Sequence, residues 1–76
     1  MKIGFKNLGK PMITVEVPAE AQDLTLREIV EIVLLSVYGD MPCPHPIMVV
    51  WDGRVAAGLN FGMRPAGSRI EILEIP

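Results

Sequence analysis

Three side chains of the kinds that bind soft or borderline metals crowd into one hexapeptide, Met41-Pro42-Cys43-Pro44-His45-Pro46. A thioether, a thiol and an imidazole are ligand types of copper, zinc and haem iron. The intervening prolines argue against a preformed site. Residues two apart share a face in a strand, but a proline-rich run favours a helix of three residues per turn, which points positions 41, 43 and 45 in different directions. Four-coordinate zinc also needs a fourth ligand, and the chain has no second cluster of Cys or His. Cys43 and His45 therefore make a weak metal candidate. The stronger expectation is a rigid loop covering a helix end, with no cofactor.

Catalytic groups are sparser still. The single histidine lies two residues from the single cysteine, and the proline between them restricts their approach as base and nucleophile. Ser36 falls within a helical pattern and Ser68 in a turn, neither with a histidine nearby in sequence. Glu71 and Glu74 fall on a strand pattern, where a carboxylate is more often part of a solvated face than a general acid. Arg54, Arg64 and Arg69 either converge on an anion or are separately solvated, the commoner case. Trp51 beside Asp52-Gly53 is a strand-end packing residue or a partner anchor. On these grounds the chain is expected not to be an enzyme.

The elements that position these groups are legible from periodicity. Ile3 and Phe5 alternate with Lys2, Gly4 and Lys6, the period of a half-buried strand. A turn at residues 8–11 leads to Ile13, Val15 and Val17 alternating with Met12, Thr14 and Glu16, which makes an N-terminal hairpin. After a polar connection at residues 18–23, Thr25-Leu26-Arg27-Glu28 is a capping box, with Leu24 and Ile29 as its hydrophobic staple. The helix it opens runs to about Tyr38, where Gly39 offers a left-handed terminator. Its second half is apolar nearly all round, so Leu34, Leu35 and Tyr38 are either covered by the following loop or part of an interface.

Prolines at 42, 44 and 46 exclude regular structure from residues 39–46. Ile47-Met48-Val49-Val50-Trp51 then reads as a buried strand, and Asp52-Gly53 as a two-residue turn into a short strand over residues 54–57. Residues 58–67 form a loop or one short turn. The last strand covers residues 69–75 with Ile70 and Ile72 inward; Leu73 breaks the alternation, which suggests a bulge or a strand end apolar on both faces.

The composition limits the partners. Seventy-six residues make one domain, residues 1–76, and 50% hydrophobic content is high for so small a body, so some apolar surface is expected to meet another protein. A net charge of −2 without a basic block argues against nucleic acid. No apolar run is long enough to span a membrane, and the single cysteine suits a reducing compartment; a soluble, cytoplasmic protein is expected.

The order strand, strand, helix, strand, short hairpin, strand points to an α+β domain with one helix packed across a mixed sheet. Two stretches also resemble a known family. Val49-Val50-Trp51-Asp52-Gly53-Arg54-Val55 looks like the Val-Asn-Gly hairpin, and Gly67-Ser68-Arg69-Ile70-Glu71-Ile72-Leu73 like the closing strand, of the small β-grasp sulfur carriers of thiamine and molybdopterin biosynthesis (MoaD/ThiS type). Element order extends the likeness over nearly the whole chain. It implies a ubiquitin-like β-grasp fold with a mixed four- to five-stranded sheet, in which the first and last strands lie parallel at the centre. Lys2 and Lys6 would then flank Glu71.

In such carriers, the resemblance implies, an activating enzyme adenylates a terminal Gly-Gly carboxylate, which sulfur converts to a thiocarboxylate. Glycines are needed where the tail threads a narrow channel. This chain has Gly-Ser in place of the usual Gly-Asp, and Ile75-Pro76 in place of the diglycine. The expectation is a non-enzymatic protein-binding relative whose contact surface comprises Leu34, Leu35, Tyr38, Trp51, Ile72 and Ile75, with homodimerisation the simplest use. The alternative is a sulfur carrier whose tail is missing from this chain, partnered by an adenylating or sulfur-accepting enzyme.

Overall fold

The computed structural model describes residues 1–18, 23–65 and 67–76. Most of the connection expected at residues 18–23, and one residue of the loop at 58–67, lie outside the described residues.

Alternation works as expected at Ile3, Phe5, Val15 and Val17, which are buried, whereas Ile13 is 48% exposed. Strand β1 (Lys2–Lys6) buries Ile3 and Phe5, and β2 (Ile13–Glu16) pairs with it antiparallel, setting Val15 opposite Ile3. The turn between them closes with the Lys10 amide donating to the Asn7 carbonyl at 3.1 Å. Helix α1 (Leu26–Tyr38) starts at Thr25, whose hydroxyl accepts from the Glu28 amide while the Glu28 carboxylate accepts from the Thr25 amide. These two bonds satisfy donors that a helix start otherwise leaves open. Gly39, at φ 63°, ends the helix by donating to the Leu35 carbonyl at 2.8 Å. The helix buries Leu26, Ile29, Val30 and Val33 against the sheet.

After the proline loop, β3 (Ile47–Trp51) and β4 (Arg54–Val55) form a tight hairpin. Asp52 and Gly53 both take positive φ, 50° and 81°, the pair of left-handed residues a type I′ turn requires. Strand β4 is shorter than expected for a physical reason. The Ala56 amide still reaches the Val49 carbonyl, but the Ala57 amide is captured by the Asn60 side chain at 2.8 Å, and the chain turns into a 3-10 segment, Gly58–Gly62.

Strand β5 (Ile70–Glu74) closes the sheet, parallel to β1 and antiparallel to β3. The five strands lie in the order β2-β1-β5-β3-β4, a mixed sheet with one helix packed on it, and the expected adjacency of first and last strands is present. No helix among the described residues is long and apolar enough to cross a membrane.

Register sorts the side chains into two layers. Phe5, Ile72 and Val49 lie in line across β1, β5 and β3 on the helix-facing side, with Ile70 and Trp51 beside them. Gly4, Glu71 and Val50 line up on the other side, as do Lys6, Leu73 and Met48. Glu71 does sit opposite Gly4, between Lys2 and Lys6 in register, but its ion pair is with Arg69 of its own strand end, at 3.7 Å.

Candidate functional site

The sequence suggested two solvated strand carboxylates, and the structure divides them. Pairing of β5 with β3 runs unbroken from Trp51–Ile70 to Ile47–Glu74, so there is no bulge, and strict alternation carries Glu74 to the helix-facing side. Glu74 is only 6% exposed. Leu73 takes the outer face instead, opposite Met48.

A buried carboxylate needs hydrogen-bond donors. Glu74 accepts from the Leu8 amide at 2.8 Å and from the Tyr38 hydroxyl, and the Cys43 thiol approaches to 3.9 Å. Asn7 in turn donates to the Tyr38 oxygen at 3.1 Å, and the Tyr38 ring meets Phe5 edge-on with centroids 6.1 Å apart. One side chain thus joins the β1–β2 turn, the end of α1 and the proline loop to the last strand. Hydrogen bonding from Tyr38 and Leu8 holds the Glu74 carboxyl below its ordinary pKa, against the opposing effect of burial. Burial, reinforced by the Glu74 carboxylate, pushes the Tyr38 phenol up to about 12. Every strong donor around this carboxylate belongs to the chain's own framework, which makes the cluster a clasp.

The soft ligands do not gather. Cys43 directs its thiol to the main-chain carbonyl of His45 at 3.1 Å, while the His45 and Met41 side chains are exposed. Among the described residues no three His, Cys, Asp or Glu side chains come together as a metal site. The arginines separate too: Arg54 borders the β3–β4 hairpin, Arg64 lies near Glu28, and Arg69 pairs with Glu71.

The expected contact residues fall into two groups. Ile72 is 0% exposed at the sheet centre and offers no surface, because its register puts it under the helix. Tyr38 is half-buried and committed to Glu74, and Leu34 packs against the core, so both serve the interior more than a surface. Leu35 remains 61% exposed and borders a hollow of about 330 Å³ with Leu24, Glu28, Glu31 and Ile32. Ile75 is 37% exposed beyond the end of β5, and Trp51 is half-buried against the core.

Two surfaces escaped the sequence reading. The outer sheet face carries Met48, Val50 and Leu73, with Val55 beside Val50 and Met12 lying over Gly4. No helix covers it. The continuous apolar run of β3 hides which residues face which way, and only the register with β5 reveals that Met48 and Val50 point outward. The second is a groove of about 490 Å³ at the β3–β4 hairpin, lined by Trp51, Asp52, Arg54, Val55, Ala56 and Asn60. The indole N–H of Trp51 is itself buried and has no acceptor among the described residues. Asp52 is engaged, accepting from the Arg69 amide at 2.8 Å. Compared with family models, curated proteins and solved structures, the chain matches none.

Proposed function

We propose that this chain is a non-enzymatic β-grasp module that acts by binding another protein, related in form to the sulfur carriers. The observation that carries this reading is the uncovered outer sheet face, where Met48, Val50, Leu73 and Val55 form a contiguous apolar strip flanked by Lys6 and Glu71. A contiguous apolar patch rimmed by charge is the ordinary form of a protein-binding surface. The relation to the carriers is supported by the strand order and by the hairpin and closing-strand likeness.

The test uses Leu73→Lys, which places a charge in the middle of the strip. Immobilised wild-type and variant protein, both folded at the assay temperature, are exposed to an extract of the source cells. Proteins retained by the wild type and lost by the variant are expected; identical retention overturns the reading. Sedimentation velocity at micromolar concentration shows whether the partner is a second copy.

A sulfur-carrier role is the second reading, favoured by the course of β5. That central strand leads the chain off the sheet with the Ile75 amide fixed on the Pro46 carbonyl at 2.9 Å and with Ile75 and Pro76 exposed, so a tail there is open to an adenylating or sulfur-accepting enzyme. A version with Gly-Gly appended, incubated with ATP and such an activating enzyme, should gain the mass of an adenylate, and with sulfide added should show the mass of a thiocarboxylate as sulfide displaces AMP. An unchanged mass with several such enzymes counts against it.

A further inference from the structure

Strand β4 lies at the end of the sheet, and no strand among the described residues pairs with its outer edge. In an antiparallel hairpin, residues alternate between those that bond across to the partner strand and those that turn both amide and carbonyl away. Ala56 bonds across to Val49, and Val55 is its immediate neighbour, so Val55 presents its N–H and C=O to the free side. Its side chain is 63% exposed on the outer face. Arg54, paired with Trp51, lies on the opposite, helix-facing side and makes no ion pair among the described residues. The groove beside it is lined by Trp51 and Asn60, while Asp52 already serves the Arg69 amide.

A surface that offers one main-chain donor and acceptor at fixed spacing, a cation on one side and an apolar side chain on the other matches an extended polypeptide. We propose that the β4 edge and the hairpin groove receive an extended segment of a partner protein as a sixth, antiparallel strand, with an apolar residue paired to Val55 and an acidic residue next in sequence over Arg54. An antiparallel partner satisfies both free groups of Val55 with a single residue, whereas a parallel one needs two flanking residues, so the antiparallel contact is the one that suits so short an edge, and N-methylation of the paired residue distinguishes them. Alternation then sends that residue's side chain to the outer face beside Val55, and the following one to the side of Arg54. Ala57 cannot extend the pairing, since its amide is held by Asn60; the contact is therefore short, and the Arg54 carboxylate contact carries much of the selectivity.

This inference rests on the protein-binding reading and shares Val55 with the outer strip, but Leu73 belongs to the strip alone and Arg54 to the edge alone, so variants at those two positions let the readings fail separately. Trp51, the only tryptophan, reports on the groove through its emission. The probe is the capped hexapeptide Thr-Thr-Val-Asp-Thr-Thr, compared with the same peptide N-methylated at its valine and with one carrying lysine for aspartate. We expect a saturable change in Trp51 emission with the first peptide, weakened by about tenfold or more by N-methylation and by Arg54→Glu, with the lysine peptide preferred by that variant. Circular dichroism confirms that Arg54→Glu is folded. No saturable change up to millimolar peptide, equal binding of the N-methylated peptide, or indifference to Arg54→Glu each overturns the proposal. So does a wild-type dimer that Val55→Lys disrupts, which would assign this edge to a second copy. Loss of the Leu73-dependent partner alone leaves the edge site standing, and the reverse also holds.

Discussion

At the scale of the residue, Glu74 shows how alternation outranks charge. Ile70 and Ile72 face the core, so position 74 must face it too, whatever side chain it carries. The sequence contained that information, but a carboxylate near a strand end ordinarily indicates solvent; the Tyr38 hydroxyl and Leu8 amide that make burial tolerable come from distant parts of the chain. A pH dependence follows. The folded pKa of Glu74 lies below its ordinary value, so the carboxylate contributes stability above the unfolded pKa of about 4.3, and that contribution is lost as the pH falls through the folded value. Tyr38 has the opposite sense: its folded value of about 12 exceeds the ordinary one, so its contribution is intact below about pH 10 and lost as the pH rises through about 12. Thermal melts across pH should show the wild type losing stability at the acid end, and Glu74→Gln should flatten that limb. An acid limb unchanged in Glu74→Gln would remove Glu74 as its cause.

At the scale of the element, legibility depended on whether the determining contacts are local. Thr25 and Glu28 form their reciprocal bonds within one turn, so the start of α1 is written in four consecutive residues. Thr25→Ala should lower stability by about 1 kcal/mol, read as a decrease in the denaturant midpoint with an unchanged slope. The β3–β4 turn is equally local. Gly53 sits at φ 81° with open space around it, so Gly53→Ala meets no clash and its cost is the left-handed backbone alone, about 1 kcal/mol. If Gly53→Ala were neutral, the type I′ turn would not be what fixes this hairpin. The faces of β3 were not legible, because a run of five apolar residues has no alternation to read. They are set by pairing with β5, whose partner residues lie about 19 to 27 positions away in sequence.

At the scale of the molecule, one helix covers one face of a five-stranded sheet, and that asymmetry turns neighbouring residues to opposite uses. Ile72 and Leu73 are adjacent in sequence and similar in chemistry, yet register places the first against Phe5 and Val49 under the helix and the second against Met48 on the open side. Removing the Ile72 side chain leaves a cavity that a wholly buried site cannot refill, so Ile72→Ala should cost about 2–5 kcal/mol. In a domain of this size that lowers the melting temperature by about 8 °C or more. Leu73→Lys keeps a long aliphatic stem on the outer face and its ammonium reaches water, so its cost should be about 1 kcal/mol or less. The binding readout should order the pair the other way: Leu73→Lys loses the partner while the protein stays folded, whereas Ile72→Ala, at a temperature where it is folded, retains it. Similar destabilisation by both substitutions would mean that Leu73 is interior and that the outer face is not free, and the protein-binding reading would lose its surface.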